Sequence, residues 1–225
     1  MTDTAMTIPD AASVKTPGNL RLGVPTRLAV RIAILFIIVF LIIPVGVVAI
    51  GSGTGLIALP YQMFELAGRA PILFPVHMVS SALALLFAPI VIAFRDRPEL
   101  HKPLGRLLGA FVVIGGLTAL PVAVMSHSPL LARAGFFAQG LVWLYLLATA
   151  FVAIRRRDVR RHAHLMMAMV AVTTGAVWFR VMTGTAIALY LPFDPVYGLA
   201  AWIGWMAPLA IVLSKPRLVS AVLAR

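Results

Sequence analysis

Two ionisable side chains lie inside apolar stretches of this chain. Arg180 ends the run Ala-Val-Thr-Thr-Gly-Ala-Val-Trp-Phe-Arg that begins at Ala171, and His77 lies a little way inside the run from Ile72 to Phe94. Holding an ionisable group within hydrocarbon is costly, so each is read as a site. A guanidinium supplies a fixed positive charge and five donors for an anionic or carbonyl oxygen, while an imidazole exchanges protons near neutral pH. Together they are expected to bind the polar end of a lipophilic ligand such as a quinone, with Ser80 and Ser81 reinforcing the histidine as an interhelical hydrogen bonder.

A second set gathers in the basic segments. His101, His162 and His164 come with Asp96, Glu99 and Asp158, and imidazoles with carboxylates are ligands for transition metals. His162-x-His164 does not put both rings on one helical face, and the neighbouring arginines repel a cation, so no metal site is expected. His101 and His162 remain candidates for one haem near a membrane face. A di-haem wire is not expected, because His77 has no histidine at its own depth and His101 precedes Lys102-Pro103, which disfavours helix. His127 reads as a loop histidine at the membrane interface. The chain has no cysteine, which excludes disulfides, thiolate metal sites and a catalytic thiol.

His162 and Arg180 are eighteen residues apart, or five helical turns and about 27 Å. Met166, Met169 and Thr173 fall near the same line. One helix would carry this stripe toward the bundle interior, because lipid does not accommodate Arg180.

The elements that position these residues follow from composition. Of 225 residues 61% are hydrophobic and 12% charged, against about 45–50% and about 25% in soluble domains, and the mean hydropathy is +1.01. A soluble enzyme is excluded. Six apolar runs are each long enough to cross a bilayer, which takes about 20 residues: Ile32 to Ile50, Ile72 to Phe94, Leu107 to Met125, Gly135 to Ile154, Ala163 to Leu191 and Val196 to Ser214. The fold expected is an all-α polytopic bundle over residues 27–225, preceded by a disordered cytoplasmic tail at 1–26. The first run exceeds the 7–15 residues usual for a signal core, so it reads as a retained span.

The net charge of +12 would suggest nucleic acid, but the charges lie in loops on one side. Lys15, Arg21, Arg27 and Arg31 precede the first span. Arg95, Arg97, Lys102 and Arg106 follow the second, Arg155, Arg156, Arg157, Arg160 and Arg161 follow the fourth, and Lys215, Arg217 and Arg225 close the chain. Only Arg69, Arg133 and Arg180 remain for the other side. The positive-inside rule therefore puts both termini in the cytoplasm, with basic loops that attract anionic lipid headgroups. Tyr61, Phe64, Phe74, Phe136, Tyr190, Phe193 and Tyr197 mark an outer aromatic belt. Glu65 and Arg69, four apart in the longest loop, would meet on a short interfacial helix. Gly105 and Gly109 form a small-x-x-x-small pair, Gly115 and Gly116 permit close approach deeper in the same helix, and Pro44 and Pro121 are expected to kink their spans. The loops Phe94 to His101 and Ile154 to His162, each with arginines followed by a histidine, suggest a faint internal repeat.

His77, Arg95-x-Arg97, His101-Lys-Pro-Leu-Gly-Arg106, Arg160-Arg161-His162 with Met166, and the run ending at Arg180 together resemble a bacterial family of predicted membrane proteins, a domain of unknown function, over residues 72 to 185. Lys102 stands where that family usually has arginine, and Leu165 where it tends to have tryptophan. The resemblance implies a multi-pass inner-membrane protein. By fold analogy it extends to membrane b-type cytochromes, which hold haem between histidines. The alternatives weighed beside ligand binding are a small-molecule transporter or channel and a structural subunit of a membrane complex.

Overall fold

The computed structural model describes residues 24–59 and 61–215. Most of the expected tail, and the basic residues Lys15, Arg21, Arg217 and Arg225, lie outside the described residues. The chain divides into two compact units between Leu35 and Phe36. Residues 24–35 of the first are helical.

Every described element is a helix: α1 (Val24–Ile37), a π-helical turn (Ile38–Ile42), α2 (Ile43–Gly53), α3 (Tyr61–Arg69), α4 (Leu73–Ala93), α5 (Pro98–Met125), α6 (Leu130–Arg155), α7 (Val159–Thr173), α8 (Gly175–Ala188) and α9 (Phe193–Ser214). Among the described residues six segments are long and apolar enough to cross a membrane: Ile32–Gly53, Leu73–Ala93, Pro98–Met125, Leu130–Arg155, Val159–Ala188 and Phe193–Ser214. The chain is an all-α, multi-pass membrane protein.

α4, α5, α6 and α7 pack as a ring, each on the next and α7 back on α4. α9 lies on α6, α7 and α8, and α2 lies on α4. The centre is filled by Val91, Leu108, Val112, Trp143, Met169 and Val172, with Ala84, Ala88 and Ala168 between them. Apolar lipid gives helices no hydrophobic reason to associate, so small residues that bring backbones close supply the packing. Leu117, Leu141, Phe151 and Ile211 remain exposed, as a lipid-facing surface requires.

The close approaches are not at the small-x-x-x-small pair. A Cβ added at Gly105 or Gly109 would meet only one atom each, at 4.0 and 3.9 Å, whereas at Gly115 it would come within 2.8 Å of Ser81 Oγ and 3.1 Å of the Trp143 ring. α4 and α6 therefore close on α5 a turn and more deeper than the motif marks.

α5 starts at Pro98 rather than Leu107. Pro98 stands in the first turn with its φ preset, and Glu99 beside it suits the positive end of the helix dipole. His101 is consequently helical, contrary to the expectation drawn from Pro103, with its N–H on the Arg97 carbonyl at 2.8 Å. Pro103 falls in the second turn, where it removes a single hydrogen bond. Pro44 acts through the π turn just before it, where the Ile43 N–H bonds Ile38 O. A proline ring clashes with the carbonyl four residues back, and the widened turn relieves that clash. α5 runs on through Pro121.

The fifth span is interrupted at Thr174, between α7 and α8. Thr173 and Thr174 turn their hydroxyls back onto Met169 O at 2.9 Å and Ala171 O at 2.7 Å, which competes with the helix ladder. Gln139 Nε2 on α6 donates to Val172 O at 3.0 Å, meeting a backbone acceptor at the break.

Candidate functional site

His77 lies one turn inside α4. Its Nδ1 is 2.9 Å from Gly115 O on α5 and 3.4 Å from Ser81 Oγ. A carbonyl can only accept, so Nδ1 carries the proton and Nε2 is the nitrogen left for another partner. Ser80 bonds back to Val76 O at 2.6 Å. The ring is thus both the interhelical hydrogen bonder anticipated from the sequence and a cavity wall.

Arg180 on α8 donates from Nη1 to Ala176 O, 2.9 Å away on its own helix. Arg180 and His77 line one cavity of about 80 Å³, with Ser81 beside them and Val45, Ala49 and Leu85 closing it. The first, second and fifth spans meet there. Among the described residues the ion pairs are Arg95 with Asp96 and His127 with Glu65, so no described carboxylate lies within pairing distance of Arg180. The arrangement offers unused guanidinium donors and one imidazole nitrogen to a small oxygen-bearing group.

The stripe is only partly realised. Met169 and Thr173 are buried, and Trp143 Nε1 donates to Thr173 Oγ1 at 2.8 Å, so this face turns inward. α7 ends at Thr173 and α8 begins at Gly175, and the two ends of the line serve different structures. His162 Nδ1 lies 2.9 Å from Ala150 O on α6, and His101 Nδ1 lies 3.1 Å from Val91 O on α4. In both basic hairpins the histidine opening the second helix holds a carbonyl near the end of the first, so the repeated loop pattern corresponds to repeated geometry. His164 turns its Nδ1 to Arg160 O at 2.8 Å, back along its own helix.

Neither His77 nor Arg180 is brought together with His101 or His162 by any contact. A porphyrin does not fit the cavity, whose volume is well below the about 300 Å³ at which ligand pockets of that class begin. His101 and His162 each keep an Nε2, the atom an iron would take. Among the described residues no group of three or more His, Cys, Asp or Glu could hold a metal ion.

On the other side of the membrane, Glu65 and Arg69 share α3 but do not pair with each other. Arg69 donates to His127 Nε2, and Nδ1 of that ring faces Glu65 at 3.6 Å, so the loop histidine stands between them. The aromatic belt is partly a core. Phe74 is buried, and Phe136, Phe179 and Tyr197 meet edge to face, the last two with ring centroids 4.9 Å apart. Tyr190 and Phe193 are exposed. Tyr197, read from the sequence only as a belt residue, is an electrostatic neighbour of Arg180, and Gln139 at the helix break was not singled out from the sequence. A single uncharged side chain on another helix carries no periodic signal.

No curated protein and no solved structure matches the chain. One family model does, over residues 74–213. That match takes in the sixth span, beyond the 72–185 stretch whose motifs carry the resemblance, and leaves the first span outside. The chain belongs to the family described as Predicted membrane protein (DUF2306).

Proposed function

We propose that this multi-pass membrane protein binds the carbonyl or anionic headgroup of a lipophilic molecule, a quinone being one such molecule, in the cavity between His77 and Arg180. The observation that carries the reading is that two ionisable side chains from separate spans line one small space, and the cation among them has no described carboxylate partner. A guanidinium in hydrocarbon costs about 2.5–3.5 kcal/mol, a cost that a ligand oxygen on its free donors offsets. The basic hairpins set the membrane orientation, with the α4–α5 and α6–α7 loops cytoplasmic and near anionic headgroups.

The test is organic extraction of purified protein followed by mass spectrometry of what comes off. Wild type is expected to release an oxygen-headed amphiphile that His77→Ala, Arg180→Gln protein lacks. Identical extracts from both proteins would remove the basis for the reading.

A further inference from the structure

A second space lies along the same pair of helices. Val45 and Leu85 line the cavity, and Ile43, two residues before Val45 on α2, and Leu86, next to Leu85 on α4, line a groove of about 340 Å³. The groove is walled entirely by apolar side chains, Ile38, Ile42, Pro89, Ile90 and Ala93 completing it. Its volume lies within the about 300–1,000 Å³ typical of ligand sites. One wall is the π turn Ile38–Ile42, a distortion that recurs at functional sites, and Pro89 interrupts the hydrogen-bond ladder of the other wall.

Size and charge restrict the occupant. About 80 Å³ is room for two or three waters at about 30 Å³ each, which takes a whole carboxylate but only the carbonyl edge of a substituted quinone ring. A carboxylate also supplies the counter-charge that no described residue within pairing distance gives Arg180, and an uncompensated cation within hydrocarbon is costly. From His77 to Ala93 the helix rises about 24 Å at about 1.5 Å per residue, most of the depth of a hydrocarbon layer about 30 Å thick.

We propose that a long-chain carboxylate binds here, its headgroup on Arg180 and His77 and its hydrocarbon chain in the groove between the first two spans. This rests on the reading above, that the cavity takes an oxygen headgroup, and names the class of ligand.

The experiment uses full-length protein in phosphatidylcholine nanodiscs and palmitate carrying a photoreactive diazirine near its chain end. Crosslinks are expected on peptides bearing Ile38–Ile43 and Leu86–Ala93. Excess palmitate should abolish them and methyl palmitate should not. Arg180→Gln should lower labelling about tenfold or more, the scale of a lost charge-assisted contact, and Ile90→Trp should block it by filling the groove. Equal competition by the methyl ester, or undiminished labelling of Arg180→Gln, would overturn the proposal and leave the groove holding ordinary bilayer chains. If decyl-ubiquinone competes and palmitate does not, the carboxylate proposal fails while the oxygen-headgroup reading stands; if neither competes, both fail.

Discussion

His77 is tied to Gly115: the ring's Nδ1 lies 2.9 Å from that carbonyl, and the same glycine has no room for a Cβ against Ser81 and Trp143. The approach of α5 that positions the carbonyl is thus the approach that a methyl group would prevent. Gly115→Ala is expected to destabilise the bundle by about 1–3 kcal/mol, as overpacking does, and to reduce ligand retention in the same preparation. Thermal unfolding together with extraction checks both. Normal stability with normal retention would contradict the link between the two helices and the site.

Removing the cation should separate stability from binding. Arg180→Met replaces a half-buried charge that has no described carboxylate partner with an apolar chain, which removes the cost of holding a guanidinium in hydrocarbon, about 2.5–3.5 kcal/mol. Ligand-stripped Arg180→Met protein is expected to melt no lower than stripped wild type while retaining no ligand. A lower melting point would make the arginine a structural member of the bundle.

The hairpin histidines are expected to act as latches. His101→Ala and His162→Ala each remove one side-chain bond to a carbonyl, worth about 0.5–1.5 kcal/mol. They should lower the melting temperature and leave the visible absorption spectrum unchanged. A Soret band present in wild type and lost in either variant would instead make these histidines haem ligands.

The α6–α7 hairpin holds a local strain. Arg157 has φ 62°, a conformation that disfavours side chains with a Cβ. The Asp158 N–H bonds Ala153 O across the turn, and its side chain caps α7 by accepting from the Arg161 N–H at 2.9 Å. Arg157→Gly is expected to stabilise by up to about 1 kcal/mol, and Asp158→Ala to cost about 1 kcal/mol. Paired denaturation curves compare the two directly.

The six spans were legible in the sequence because hydrocarbon thickness imposes a length and a composition that few other constraints imitate. His77 and Arg180 were legible for the same reason, as exceptions to that composition. Helix ends were less so: α5 reaches back to Pro98 because a helix can leave the hydrocarbon before it stops, and hydropathy marks only the hydrocarbon. The break at Thr174 was hidden because two adjacent threonines in an apolar span also read as ordinary helix. The groove beside the cavity was hidden too, since Ile38, Leu86 and Ile90 become a wall only once the first two spans pack together.

The most direct test of the account is the distance between the two rare side chains. The measurement is ¹³C–¹⁵N dipolar recoupling by solid-state NMR in bilayers, with histidine ¹³C-labelled in the imidazole ring and arginine ¹⁵N-labelled in the guanidinium, on a His127→Asn background because Arg69 touches that ring. A shared cavity predicts a ring–guanidinium coupling that vanishes in both Arg180→Gln and His77→Asn. No coupling, or one that survives either substitution, would mean that the imidazole and the guanidinium do not share a cavity.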